Sequence, residues 1–254
     1  MILSIDVGLK NLAMCVMSCE EGAYKIHLWN TYNLVDDDSN INVTCPSLTK
    51  KNKVCGKKCN FKFDKDGAIV YTCKSHAPKN DDTLKQINIK KVKDISMQEI
   101  AKLVIVKVED IYDNNKDLFN SIKKIRIELQ PKINPKMTFV SHVIYAKFLD
   151  ILRDNVDIDI KFVRATEKLK AFKDDECSKI ECNLKNEYSK RKFLSIQYTL
   201  WFLNNKVEDK DRWLQFFESN SKADDAGDTL CYCYNELKPK IKCKGKKKEK
   251  LIKQ

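Results

Sequence analysis

Glycine is scarce in this chain, with six in 254 residues, and histidine scarcer, with three. Six glycines supply no second Gly-rich strand of the kind that cradles a nucleotide phosphate, although "IDVG" (5–8) by itself resembles one. His27 falls in an expected strand and His142 in an expected helix, which leaves His76 as the histidine placed among cysteines. No run approaches the roughly 20 apolar residues that span a bilayer. The opening "MILSIDVGLKNLAMCVM" has no basic stretch ahead of its apolar residues, which argues for an intracellular protein with no membrane partner. In such a compartment eleven cysteines read as thiols or metal ligands, not as a disulfide framework.

What the sequence has in excess is positive charge: 48 Lys and Arg against 36 Asp and Glu, a net +12. That balance attracts polyanions, nucleic acid first among them. Much of the excess sits in "KPKIKCKGKKKEKLIKQ" (238–254), which reads as a basic C-terminal arm. Against that background "KADDAGDTL" (222–230) concentrates three aspartates. On a helix Asp224 and Asp228 stand at i, i+4 and Asp225 and Asp228 at i, i+3, so their carboxylates share one side. Like charges so placed repel by a few tenths of a kcal/mol per pair unless a cation lies between them.

Alternating hydrophobicity predicts strands over 2–8, 12–18 and 23–34, a meander. Residues 36–94 lose periodicity and gain Lys, Asn, Asp and Cys, the signature of an inserted module. From Ile95 the spacing turns helical, with Met97, Ile100, Ala101, Val104, Ile105, Val108 and Ile111 as the apolar stripe. Strands are expected at 125–131 and 158–163, and helices at about 137–153, 187–204, 211–218 and 223–237. The order describes an α/β fold, a mixed five-stranded sheet flanked by helices. Its units are 1–35 with 95–237 as the main domain, 36–94 as the insertion and 238–254 as the tail.

Polar residues within buried strands carry the information. Asp6 lies inside "ILSIDVG" and Glu128 inside "IRIELQP". Singly, Asp6 reads as a strand-end cap, Glu128 as a lysine partner and Asp224 as a helix cap. A buried acid is expensive unless paired or bound to metal, so two such strands plus the aspartate cluster point to one converging site.

"IDVGLKNLA", "IELQP" and "KADDAGDTL" together resemble the acidic tetrad of RuvC-like Holliday junction resolvases of the RNase H-like superfamily. The form is closest to the poxvirus and iridovirus type and its mitochondrial yeast relatives. The resemblance implies an RNase H-like fold, usually in a homodimer, and an endonuclease that resolves four-way DNA junctions with paired symmetric nicks in recombination or replication. It implies Mg²⁺ ligands at Asp6, Glu128 and Asp228, with Asp225 or Asp224 as the fourth. Two Mg²⁺ ions, with Mn²⁺ as a substitute, activate water and stabilise the leaving 3′ oxygen, and carboxylates free of His or Cys suit them. In "RATEKLKAF" (164–172) Lys168 aligns with a basic residue of the viral enzymes, and Ala165 stands where those relatives carry proline. The same resemblance implies a viral replication compartment in the host cell. The alternatives are another RNase H-like nuclease, acting on RNA–DNA hybrids or flaps, and a non-catalytic zinc-containing DNA-binding protein.

Within the insertion, Cys45, Cys55, Cys59, Cys73 and His76 offer five ligands for the four places of a structural Zn²⁺. Cys55-x3-Cys59 and Cys73-x2-His76 flank a hairpin-like "NFKFDKDGAIVYT". So short and polar a module builds no core of its own, and a tetrahedral ion would supply its folding energy. Similar insertions in viral resolvases favour Cys45, Cys55, Cys73 and His76, with Cys59 as the substitute. Lys50, Lys51, Lys53, Lys57, Lys58 and Lys62 surround them and suit DNA phosphates.

Overall fold

The computed structural model describes residues 1–35, 43–87 and 94–239. Apart from Lys238 and Pro239, the basic arm lies outside the described residues. The chain opens with β1 (Ile2–Val7), β2 (Asn11–Glu20) and β3 (Ala23–Asn33), an antiparallel meander. The turn after β1 requires Gly8. Its N–H donates to the Asn11 carbonyl at 2.9 Å, and a Cβ would stand 2.6 Å from that same oxygen.

The insertion forms its own three-stranded sheet from β4 (Phe61–Lys65), β5 (Ala68–Thr72) and β6 (Lys85–Gln86). Asp66 and Gly67, with φ of 56° and 83°, make the two-residue loop between β4 and β5, where the Asp-Gly pair favours positive φ. Cys45, Cys59, Cys73 and Ile87 form the buried apolar cluster of this small unit, with Thr72 buried beside them.

Helix α1 (Met97–Asp113) is capped by Ser96, whose hydroxyl accepts from the Glu99 N–H at 3.1 Å. It buries Ile100, Val104, Val108 and Ile111. Met97 and Ile105 are exposed, contrary to the periodic reading. As the first residue of the helix Met97 points back past its end, and Ile105 is rotated off the stripe by one residue from Val104. The short α2 (Lys116–Asn120) and β6 have no periodic signal in the sequence. There follow β7 (Lys124–Glu128), α3 (Pro135–Ile151), β8 (Asp159–Val163), α4 (Glu187–Lys206), α5 (Lys210–Ser219) and α6 (Ala223–Leu237).

Strand order is β3-β2-β1-β7-β8, with β7 parallel to β1 and β8 parallel to β7. This is the mixed five-stranded α/β sheet read from the sequence. The two-residue alternation of the strands sorts side chains between two cores. Leu3, Ile5, Val7, Ile125 and Ile127 pack with α1 and α3 on one face. Ile2, Cys15 and Met17 pack with α4, α5 and α6 on the other. No helix among the described residues is long and apolar enough to cross a membrane.

Candidate active site and Cys/His cluster

The alternation that buries Leu3, Ile5 and Val7 on one face turns Ser4 and Asp6 towards α6, where Ser4 donates to the Thr229 carbonyl at 2.5 Å. In β7, Ile125 and Ile127 face the first core, and Arg126 and Glu128 face α6. Ile5 is registered with Ile127 across the parallel pair, so Asp6 and Glu128 emerge side by side at the carboxyl ends of neighbouring strands. That end of a parallel sheet is where α/β proteins place ligands.

Helix α6 is fixed over this point from several directions. The Trp29 indole N–H donates to the Ala226 carbonyl at 3.0 Å. Buried Arg126 pairs with Glu236 at 3.1 Å and with Asp159 at 2.9 Å. At Gly227 the helix passes close to α4, since a Cβ there would meet Thr199 Oγ1 at 3.0 Å and Ser195 Oγ at 3.4 Å. The result is that ligand oxygens of Asp6, Glu128 and Asp228 lie within 4.8 Å of one another. They stand in a cleft of about 390 Å³ whose lining includes Asp225, Lys168, Gln130, Asn11, Tyr188, Arg191 and Lys192.

Burial, followed by the charges of Glu128 and Asp228, holds the Asp6 carboxyl well above the ordinary carboxylate value. Asp225 is likewise raised, by burial and then by Asp224. The cleft therefore carries a surplus of negative charge that a cation would relieve. Lys168, in the turn region after β8, pairs with Asp228. Burial works to lower the Lys168 pKa, but Asp228, Glu128 and Asp6 outweigh it and keep the ammonium charged. Ser195 donates to the other Asp228 oxygen at 2.6 Å, so Asp228 is held on both sides.

The two neighbouring aspartates part company. Asp225 lines the cleft, whereas Asp224 pairs with Lys192. Burial raises the Asp224 pKa, but the hydrogen bond and charge of Lys192 bring it below the ordinary value. Sequence reasoning missed Ser195 and Gln130. Ser195 and Thr199 are small polar residues at i, i+4 on the buried side of α4, and that pattern is a signal that could have found the former.

In the insertion, ligand atoms of Cys45, Cys55, Cys73 and His76 lie within 4.8 Å of one another. Cys59, the fifth candidate, is buried nearby in the small core outside that group. Cys55 and Cys73 sulfurs are 3.8 Å apart, and His76 Nδ1 lies 3.5 Å from Cys45 Sγ and 3.4 Å from Cys73 Sγ. A tetrahedral ion with Zn–S near 2.3 Å and Zn–N near 2.0–2.1 Å separates its ligand atoms by roughly 3.8 Å between sulfurs and roughly 3.5 Å from sulfur to nitrogen. The observed edges fit that figure. Burial opposes ionisation of Cys45, but hydrogen bonds from Ser47 and the backbone bring its pKa down to about 5, favouring the thiolate a metal binds.

No family model matches the sequence. An uncharacterised protein of Acanthamoeba polyphaga mimivirus is 32% identical over 216 residues, which are 75% of this chain and 47% of that protein. The chain thus spans about half the length of this relative. Among solved structures it is similar to the yeast mitochondrial Holliday junction resolvase Ydc2, at 13% identity and a TM-score of 0.49, covering 93% of this chain and 78% of that one. It is also similar to the fowlpox virus resolvase solved with substrate Holliday junction DNA, at 12% identity and 0.43, covering 92% and 96%. Thermus thermophilus RuvC, in complex with a Holliday junction substrate, gives 8% identity and 0.40, covering 92% and 93%.

Proposed function

We propose that this chain is a divalent-metal-dependent endonuclease that resolves four-way DNA junctions by paired symmetric nicks. The convergence of Asp6, Glu128 and Asp228 in one cleft, with Asp225 beside them, carries the nuclease reading. The resemblance of the three motifs to those of RuvC-like resolvases supports the junction as substrate. A net charge of +12 around an acidic cleft supports a polyanionic one.

Asp6, Glu128, Asp228 and Asp225 offer only oxygen donors, the set that Mg²⁺ or Mn²⁺ prefers, and would hold two such ions. When bound, the ions supply an activated water and stabilise the leaving oxygen of an in-line displacement. Lys168 keeps an ammonium beside the reacting position, where it offsets charge building on the phosphate. Arg191, Lys192 and Tyr188 on the α4 wall face the same cleft and suit the DNA strand entering it. Two copies acting on one junction would cut it symmetrically.

Cys45, Cys55, Cys73 and His76 would hold Zn²⁺ and thereby fold the insertion, presenting its lysines to DNA phosphates. The viral source of the matched relative supports a role in viral genome processing.

The test is cleavage of a synthetic four-way junction beside matched duplex, flap and RNA–DNA hybrid, with Mg²⁺, Mn²⁺ or EDTA. Metal-dependent paired nicks confined to the junction are expected. Cutting of the hybrid or flap alone would replace the substrate, and binding without cuts under every metal would replace the enzyme with a binding protein.

A further inference from the structure

Among the described residues, the hydroxyl of Tyr232 is a buried side-chain oxygen with no hydrogen-bond partner. Its residue is 2% exposed and lies one helical turn after Asp228 on α6. The charged groups nearest the phenol are Glu128, Asp228 and Asp6, the three acids whose carboxylates meet in the cleft. Buried hydroxyls are almost always satisfied, and phenylalanine would fill the same space without an unmet donor. The nearby Tyr234 shows the ordinary arrangement, donating to Asp175 at 2.9 Å.

The other acids of the cleft differ in how they are held. Asp228 is fixed by Ser195 and Lys168. The Glu128 carboxylate has Asp6 and Asp228 as like charges within 4.8 Å and the Lys168 ammonium within electrostatic reach, and the Tyr232 phenol lies beside it. A neutral donor suits this place. A second ammonium besides Lys168 would cancel further charge that a divalent ion needs, whereas a phenol orients one carboxylate oxygen and leaves the other free to ligate.

We propose that Tyr232 is a positioning residue of the cleft, whose hydroxyl donates to the Glu128 carboxylate and fixes the orientation in which Glu128 takes up a divalent cation with Asp6 and Asp228. The inference rests on the reading of the cleft as a divalent-cation site. It assigns Tyr232 a part in metal affinity and turnover, not in binding DNA.

The experiment titrates Mn²⁺ by calorimetry into the full Zn²⁺-loaded chain and its Tyr232→Phe, Glu128→Gln and double variants, with Asp6→Asn as the baseline. Melting is followed in parallel without added Mn²⁺, and cleavage gives kcat and KM. Tyr232→Phe is expected to melt at or above the wild-type temperature, to bind Mn²⁺ about tenfold more weakly and to lose kcat with KM for DNA unchanged. Adding Tyr232→Phe to Glu128→Gln should cost little more than Glu128→Gln alone, because the two act through one contact. Wild-type affinity and kcat in Tyr232→Phe would overturn the inference alone, as would a lowered melting temperature with unchanged affinity. A wild-type chain that binds no more Mn²⁺ than Asp6→Asn would overturn the cation-site reading and this inference with it.

Discussion

Asp6, Glu128 and Asp228 come from two strands and a helix spread along the whole chain, and they meet only because the sheet and α6 are already packed. Cys45, Cys55, Cys73 and His76 come from one short segment whose other buried residues are Cys59, Thr72 and Ile87. In the first region a large core positions the ligands, so the fold is expected to stand without a cation. In the second, Cys45 and Cys73 are half of the buried apolar core, so cation and fold are expected to be inseparable. On the proposed reading the two clusters would serve different ends: the acidic one would gather charge for chemistry, and the Cys/His one would close a module that apolar burial alone would leave open.

The comparison breaks most visibly at the ligands themselves. Asp6→Asn and Asp228→Asn should each reduce metal-dependent cleavage by roughly three orders of magnitude, the loss of several kcal/mol of charge stabilisation, with thermal melting little changed by Asp6→Asn, whereas Asp228→Asn also strands the buried Lys168 ammonium and should melt lower. A large drop in the melting temperature of Asp6→Asn would mean that the acids hold the fold and would erase the distinction. Cys73→Ser, or a strong chelator, should melt β4–β6 and leave the five-stranded sheet folded. Amide exchange read separately over 43–87 and over 1–35 with 94–239 measures this directly, and equal exposure of both regions would contradict it.

Gly227→Ala tests whether packing sets the acidic site. The added Cβ would crowd Thr199 and Ser195, so we expect about 1–3 kcal/mol of destabilisation by urea melting. Cleavage should fall as well, since Asp228 is the next residue and Ser195 is its hydrogen-bond donor. Asp225 and Asp224 sharpen the picture further. Asp225→Asn should impair cleavage strongly, while Asp224→Asn, which breaks a half-exposed pair with Lys192, should change it only a few-fold. Smallest of all, Cys59→Ala should leave Zn²⁺ content at the level of the unmodified chain by metal analysis and lose about 1 kcal/mol or less.

The strands and long helices were legible because their periodicities are strong, and Asp6 and Glu128 stood out as acids in otherwise buried runs. The Cys/His cluster was legible in part: local spacing offered five candidates with Cys55 and Cys59 as a close pair, and the family resemblance, not the spacing, favoured the four that the structure brings together. The choice between Asp224 and Asp225 was not, because both lie at helical spacings from Asp228. What separates them is that Lys192 of α4 takes Asp224, a tertiary contact with no local sequence signal. Tyr232 escaped for a similar reason, since an aromatic on the buried side of α6 looks like core until its unpartnered hydroxyl is set against the acids near it. Strand β6, two residues long, depends on its pairing with β4 and has no pattern of its own.

The most direct test of the central claim is cleavage of a four-way junction by the wild-type chain and by Asp6→Asn, side by side, with Mg²⁺ and with EDTA. The account predicts symmetric nicks by the wild type with Mg²⁺, none with EDTA, and none by the variant despite undiminished junction binding. Nicks that persist in EDTA, or in Asp6→Asn at the wild-type rate, would contradict it.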